Sequence, residues 1–307
     1  MNLVKAIFIT LLILCGSYVH AQVVKSVVLD TIMIQAVKRG FDVADFVEMV
    51  KSDTSFLMGF RNIRNTPHEV DGFMIIYGKK NKIQATRFKR ALQVTRNKRK
   101  WIEVKEETVR GDFYKRNELP EKYTAELFDE IFFYKDTLAV LPQSQSANEV
   151  IGNENKGNIS RLKTLIFNPG AEIEGVPVVG KRMAIFDEDM IQYYDYAISA
   201  KMFRDSISCY VFSCTAKPGA GNYPVLKTLN TWFDRKTFNI VYRDYRYQYS
   251  GILFDFDVDM KVTMKYEQGL LFPAKVEYTG FWDIPMHQKE KVDFDLNFRL
   301  VSPVEPH

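Results

Sequence analysis

The stretch that decides the fold is ILFDFDVDMKVTMKY, residues 252–266. Apolar side chains stand at every second position from Ile252 to Met264, and aspartate, lysine and threonine fill the positions between them from Asp255 to Lys265. Successive side chains of a β-strand point to opposite faces, so this period of two predicts one long strand with an apolar and a polar face. Such a strand belongs to a sheet that is buried on one side only.

The flanking sequence supplies the neighbouring strands. The alternation returns near the C-terminus, and short turns such as 234–237 and Gln268-Gly269 separate the segments. We predict an antiparallel meander of the strands Ile207–Phe212, Val225–Phe233, Phe238–Tyr249, Ile252–Tyr266, Leu270–Thr279 and Val292–Leu300. At about 3.3 Å per residue the longest strand would span roughly 40 Å, too far for one flat layer to cover, so the sheet should twist and curl.

The first half of the chain adds helices and further strands. Apolar spacing predicts short helices between Val27 and Arg64 and another helix from Tyr123 to Phe133. Strands are predicted at Gly72–Tyr77, Lys82–Phe88, Leu92–Thr95 and Trp101–Val104. The predicted fold class is α+β and β-dominated: a strongly curved antiparallel sheet, or unclosed β-barrel, with N-terminal helices packed against its concave face.

The N-terminus has the pattern of a secretory signal peptide. Lys5 is followed by the apolar run Ala6–Leu14 and by a small, weakly polar stretch that ends at Ala21. We therefore expect export from the cytoplasm. The expected organisation is a signal peptide at 1–21 and a single β-rich domain at 22–307, with a flexible polar loop at 144–160.

Charge and cysteine content limit the classes of function. The chain carries 42 basic and 38 acidic residues, a balance that gives no reason to expect nucleic acid as a partner. Cys209 and Cys214 lie five residues apart on one predicted strand, too far apart for a disulfide, and we interpret them as buried small hydrophobic residues. The histidines of the mature chain are scattered along it. We therefore expect no metal and no cofactor.

Two segments carry a family resemblance. They are Thr231–Val241, with a Trp-Phe-Asp turn and a paired strand, and Gly269–Val276, a glycine turn that leads into a strand. Together with a signal peptide and helices ahead of a long meander, they resemble the periplasmic lipoprotein carriers of the LolA and LolB type, and also uncharacterised secreted proteins of Bacteroidetes-type bacteria. The resemblance implies an unclosed β-barrel with helices inside its concave face and a hydrophobic cavity that handles acyl chains. With the signal peptide, it also implies a location in the periplasm or at the outer-membrane periphery of a Gram-negative bacterium. It carries over no functional residue.

Two sets of residues are candidates for ligand contact. Apolar residues predicted on the concave face would line a cavity for an acyl chain: Trp232, Phe254, Phe256, Val258, Met260, Val262, Met264, Phe294 and Leu296. A basic group on a predicted hairpin beside Trp101 would meet anionic lipid head groups: Arg96, Lys98, Arg99 and Lys100. The alternatives are a concave face filled by the protein's own helices and a hairpin rim that is merely solvated.

Motifs for metal binding or catalysis are weak. Asp255, Asp257 and Asp259 lack the glycine turn and the closing glutamate of a calcium loop, and they fit a solvated strand face. Neither His68 nor His287 stands in a protease motif. We expect a non-enzymatic, carrier-like protein that binds a lipid or lipoprotein and makes peripheral contact with the membrane. The alternatives are an envelope scaffold or protein-interaction module with a filled core, and a hydrolase with an unrecognised carboxylate site.

Overall fold

The computed structural model describes residues 43–140, 158–173, 176, 179–251, 255–283 and 288–301. The predicted signal peptide, the predicted helical segment before Gly40 and most of the predicted loop at 144–160 lie outside these residues. None of the described helices is long and apolar enough to span a membrane. The chain from Val50 onward forms one compact unit, and residues up to Met49 belong to another.

Five α-helices and eleven strands make up the described chain. The helices are α1 Val43–Ser52, α2 Ser55–Asn65, α3 Tyr123–Phe132, α4 Asn158–Phe167 and α5 Glu188–Ile191. The strands are β1 His68–Tyr77, β2 Ile83–Arg96, β3 Arg99–Gly111, β4 Leu138–Ala139, β5 Tyr194–Phe203, β6 Ile207–Ala216, β7 Leu226–Asp234, β8 Ile240–Ser250, β9 Asp255–Glu267, β10 Leu270–Asp283 and β11 Glu290–Leu300.

All eleven strands belong to one sheet, in the order β4-β3-β2-β1-β11-β10-β9-β8-β7-β6-β5. Neighbouring strands are antiparallel throughout. Among the described residues, β4 and β5 stand at opposite edges and do not pair with each other, so the sheet does not close. These features confirm the predicted β-dominated class with an unclosed antiparallel sheet.

The predicted central strand is β9, and its alternation is confirmed. Val258, Met260 and Val262 are buried, whereas Asp259 and Lys261 between them are exposed. We call the face of the sheet that bears the first three the covered face, and the opposite one the open face.

Helix α2 lies close against β10 of the covered face. The Asn62 side chain donates a hydrogen bond from Nδ2 to the Leu271 carbonyl oxygen at 2.9 Å. A Cβ atom at Gly59 would lie 3.6 Å from the Leu271 carbonyl oxygen, an ordinary van der Waals contact, and would force only the flexible Met264 methyl group to move.

Helix α3 is fixed to the sheet by a carboxylate from β11. Glu290 is buried and accepts hydrogen bonds from the backbone N–H groups of Tyr123 and Thr124 at 3.0 and 2.8 Å. It thereby satisfies donors that every helix leaves unpaired at its N-terminus. Helix α4 is held similarly, because the Tyr245 hydroxyl donates to the Ile166 carbonyl oxygen at 2.6 Å.

Several boundaries differ from the prediction. The segments predicted as two strands, 82–88 and 92–95, form the single strand β2, because Lys89 and Arg90 continue the strand instead of forming a turn. Strand β5 has no counterpart in the prediction. Helix α4 begins at Asn158, so the last three residues of the predicted loop are helical. Cys209 and Cys214 are free and buried, as predicted.

Candidate functional site

The predicted lining residues lie on the covered face, with two exceptions treated below. They lie on β9 and β11, the two strands that flank β10 in the sheet. All are nearly inaccessible, with exposed fractions between 0% and 5%: Phe256, Val258, Met260, Val262, Met264, Phe294 and Leu296. The structure therefore brings this set together as one apolar surface.

Side chains from the helices fill that surface. The ring centroid of Phe128 in α3 lies 3.9 Å from the ring centroid of Phe294 and 5.0 Å from that of Tyr278. Phe60 of α2 stacks on Phe167 of α4 at 4.4 Å. Of the two arrangements that the sequence left open, the filled one describes these residues.

Two predicted lining residues do not belong to this surface as described. Phe254 lies outside the described residues. Trp232 is on the open face, where its ring centroid lies 5.8 Å from that of Phe203 and 6.3 Å from that of Tyr242. The prediction for Trp232 was wrong because the alternation of β7 turns Thr231 and Phe233 to the covered side.

The predicted head-group residues divide into two groups. Arg96, Lys98 and Arg99 are exposed at the turn between β2 and β3. Lys100 is fully buried, and its Nζ atom donates to the Arg64 carbonyl oxygen at 2.9 Å and to Asn65 Oδ1 at 3.2 Å. The prediction for Lys100 was wrong, because its ammonium group binds the C-terminal end of α2 instead of facing water.

A cleft of about 980 Å³ opens between the β2–β3 hairpin, the segment after it and α3. Apolar and aromatic residues form one part of its wall: Val104, Tyr114, Leu119, Pro120, Phe133, Tyr134 and Leu138. Six carboxylates line it as well, Glu107, Glu118, Glu126, Asp129, Glu130 and Asp136, together with four cationic side chains, Arg64, Lys89, Lys135 and Lys163. The cleft is thus amphipathic, and its volume is typical of small-molecule sites.

The lining residues Lys89, Glu107 and Asp129 form a paired charge network with the buried Arg87 behind them, and we call this network the floor of the cleft. Arg87, which is 2% exposed, donates to both oxygens of Asp129 at 2.6 and 2.5 Å. Lys89 Nζ lies 3.2 Å from Glu107 Oε1 and 3.7 Å from Asp129 Oδ2. Burial favours the neutral form of Arg87, but the hydrogen bonds and charge of Asp129 outweigh it and raise the arginine's pKa.

Tyr114 extends this network along the wall of the cleft. Its hydroxyl accepts a hydrogen bond from Arg87 at 3.0 Å and donates one to Glu107. Burial raises the pKa of Tyr114 and keeps the phenol neutral at physiological pH. The floor therefore holds two positive and two negative groups in a fixed arrangement.

Phe133 joins the cleft to the covered face. It lines the cleft, and its ring lies over Gly72 of β1. A Cβ atom at Gly72 would come within 2.8 Å of Phe133 Cζ and 3.1 Å of Leu296 Cδ2. The cleft thus ends on a side chain that lies beside one of the predicted lining residues.

Sequence reasoning missed this cleft, although a signal was present. The signal is the pair Arg87 and Lys89 on β2. They are separated from Ala85 and Ala91 by even numbers of residues, so all four side chains point to the same face of β2. Both alanines are buried on the covered side. Two long cations between two alanines on one strand face indicate side chains that extend inward to partners.

No cluster of three or more potential metal ligands occurs in the described part of the chain. Asp257 and Asp259 instead lie near a cation on β8: Arg246 donates to both oxygens of Asp257 at 2.9 and 2.6 Å and lies 3.8 Å from Asp259. This agrees with the interpretation of the aspartates as a solvated strand face.

Comparisons with known proteins find no matching family model and no matching curated protein. A DUF1329 family protein from Desulfovibrio piger is 11% identical, covers 83% of this chain and 95% of its own, and has a TM-score of 0.26. A Vibrio parahaemolyticus domain described as an outer membrane lipoprotein-sorting protein is 8% identical over 81% and 92%, with a TM-score of 0.28. Lipovitellin is 7% identical over 79% and 26%, with a TM-score of 0.24. At these low TM-scores the likenesses assign neither a family nor a function.

Proposed function

We propose that the protein is an exported, non-enzymatic carrier of the bacterial envelope that binds a lipid or the acyl chains of a lipoprotein. The observation that carries this proposal is the position of Phe133, which lines the cleft and packs on Gly72 beside Leu296. A ligand whose polar part lies in the cleft could lay its acyl chain along the apolar wall, which ends at this ring.

The cleft offers the two kinds of surface that a lipid requires. Val104 and Leu119 are half exposed, at 51% and 37%, and give an apolar wall that water now contacts. Transfer of such surface from water to contact with an acyl chain is favourable by about 25 cal/mol per Å². The charged floor around Lys89 supplies hydrogen-bonding groups for a polar end of the ligand.

The exposed turn between β2 and β3 is our candidate for contact with a membrane surface. Arg96, Lys98 and Arg99 stand together there, and clustered cations of this kind are attracted to anionic lipid head groups. This turn belongs to the same hairpin whose strand β3 contributes Val104 to the cleft. A lipid taken from the membrane would therefore have a short path to the apolar wall.

The experiment is lipid extraction and mass spectrometry on the protein purified from the envelope of its own host. We expect acyl lipid in near-stoichiometric amount. The variant Val104→Asn/Leu119→Asn makes the wall polar at exposed positions and should lose most of this lipid. The matched control Ile83→Asn/Met202→Asn changes two apolar residues outside the cleft that are 61% and 51% exposed and should keep the lipid. A clean, empty wild-type protein would reject the proposal.

The filled covered face favours a second candidate, an envelope scaffold or protein-interaction module. Because the predicted lining residues that lie on the covered face are at most 5% exposed, the core needs no ligand to complete it. In that case the protein would be lipid-free, and cross-linking in intact cells followed by mass spectrometry should recover one envelope protein reproducibly. Recovery of lipid without a protein partner would count against this candidate.

A further inference from the structure

Strand β5 has a partner strand on one side only. It stands last in the strand order and pairs with β6 alone within the described part of the chain. The pairing continues from Tyr194 to Phe203 with no register shift. From Tyr194 to Met202, no described backbone group outside β6 bonds to the N–H and C=O groups of the strand. Such an edge is a template for a further strand.

The opposite edge of the sheet is protected in a way that β5 is not. Strand β3 is bulged where its pairing with β2 shifts register between Arg90 and Ala91, and charged residues fill positions 105–107. Bulges and charges are the usual devices that keep an edge strand from pairing. In β5 the segment 196–200 between Asp195 and Lys201 is uncharged. This edge can therefore accept another strand along most of its length.

The two charged residues make β5 complementary to itself. If two copies of β5 pair antiparallel about a two-fold axis at Ile198, each Asp195 stands opposite Lys201 of the other copy. Both side chains are exposed, and neither forms an ion pair within the described part of the chain. Opposite charges that face each other across two strands stabilise the pairing. A parallel pairing in register would instead set like charges against each other.

This register also suits the backbone. Opposite residues of an antiparallel pair turn their N–H and C=O groups either both toward the partner strand or both away from it. Asp195 and Lys201 are six residues apart and therefore have the same orientation along β5. The same register places Met202, which is 51% exposed, opposite Tyr194 of the second copy. Contact between these side chains would remove apolar surface from water.

We propose that two copies of the chain associate through β5, antiparallel and about a two-fold axis at Ile198, so that their sheets become continuous. The cleft lies beside β2 and β3, at the other end of the strand order. The association therefore does not depend on the proposed lipid ligand. Because pairing of two edges buries little surface, the dimer should be weak and its population should depend on protein concentration.

The first test is sedimentation of the full-length mature protein between about 1 and about 100 μM. We expect the mass to rise from that of a monomer to that of a dimer. Asp195→Lys sets a lysine opposite each Lys201 and should weaken the dimer about tenfold. The charge swap Asp195→Lys/Lys201→Asp restores opposite charges in the same register and should restore the dimer. The matched control Asp112→Lys, at an exposed residue after β3, should leave association unchanged.

The second test locates the two-fold axis. Directly opposite residues have Cβ atoms about 4.5–5.5 Å apart, so Ile198→Cys should give a disulfide-linked dimer under mild oxidation. In the control Ala200→Cys the two thiols would be about 13 Å apart, four residues along the strand, and should not link. The native Cys209 and Cys214 are buried.

A protein that stays monomeric at every concentration would overturn the proposal. A dimer that Asp195→Lys leaves unchanged, a charge swap that does not restore association, or equal cross-linking of the two cysteine variants would overturn it as well. Each of these outcomes leaves the lipid proposal standing, because co-purified lipid is measured separately on the same protein.

Discussion

The covered face and the cleft meet at Phe133, yet they are built differently. On the covered face, side chains such as Val262 and Phe294 are sealed by helices and reach at most 5% exposure. In the cleft, charged groups stand beside apolar side chains that water still reaches, such as Val104. The comparison shows that strand alternation determines which side chains of the sheet are buried. The positions at which the helices end determine where a cleft stays open to a ligand.

The largest expected effect breaks the seal of the covered face. Phe128→Ala removes a ring that contacts Phe294 and Tyr278, and the free energy of unfolding should fall by about 4 kcal/mol, the usual cost of such a cavity. Urea denaturation measures this change in the free energy of unfolding. The control Phe73→Ala, at a side chain that is 42% exposed, should cost less than about 1 kcal/mol. Similar costs for the two variants would show that α3 does not seal the face.

The next effect tests whether water is excluded from the imidazole of His68 on the covered face. His68 is buried, its Nδ1–H donates to the Thr66 carbonyl oxygen at 2.8 Å, and burial lowers its pKa from 6.5 to about 4. The unfolded chain therefore takes up this proton first, and stability should fall by about 3 kcal/mol as the pH drops from about 6.5 to about 4. In His68→Gln this part of the pH dependence should disappear from denaturation curves. An unchanged slope would contradict the buried, neutral imidazole.

A smaller loss is expected in the floor of the cleft. Asp129→Asn leaves Arg87 buried without its bidentate carboxylate and should cost about 2 kcal/mol, below the value for a fully buried pair because Asp129 is 19% exposed. Chemical denaturation measures the loss. Asp257→Asn on the open face removes a similar arginine contact, at a carboxylate that is 33% exposed, and should cost under about 1 kcal/mol. Equal losses of stability would mean that Asp129 is as well solvated as Asp257.

The smallest effect concerns two carboxylates of α3 that line the cleft, and it has the opposite sign. Glu126→Gln/Glu130→Gln removes a like-charge pair at helical spacing, so the unliganded protein should be stabilised by a few tenths of a kcal/mol, about 0.3. Thermal unfolding at low ionic strength detects it, and added salt should reduce the difference. A clear destabilisation would show that these carboxylates make favourable contacts in the folded protein.

The sequence was sufficient for the sheet but not for what lies on it. The alternation around Met260 predicted the strand, its two faces and the buried set, because a period of two is a local property. Trp232 was assigned to the wrong face, because its neighbours Thr231 and Phe233 are the β7 residues that face the covered side. The burial of Lys100 depends on carbonyl groups more than thirty residues away in α2, and the cleft depends on Glu290, which fixes α3 from β11. Such long-range partners leave no periodic trace in the sequence.

The most direct test of the account maps where an acyl chain lies. A lysophosphatidylethanolamine with a photoreactive diazirine in its acyl chain is bound to the mature protein, activated and located by peptide mass spectrometry. The account predicts cross-links at Val104, Leu119, Phe133 and Leu138, and their loss in Val104→Asn/Leu119→Asn. Cross-links confined to the open face, around Phe73 or Trp232, would contradict it, as would an absence of cross-links.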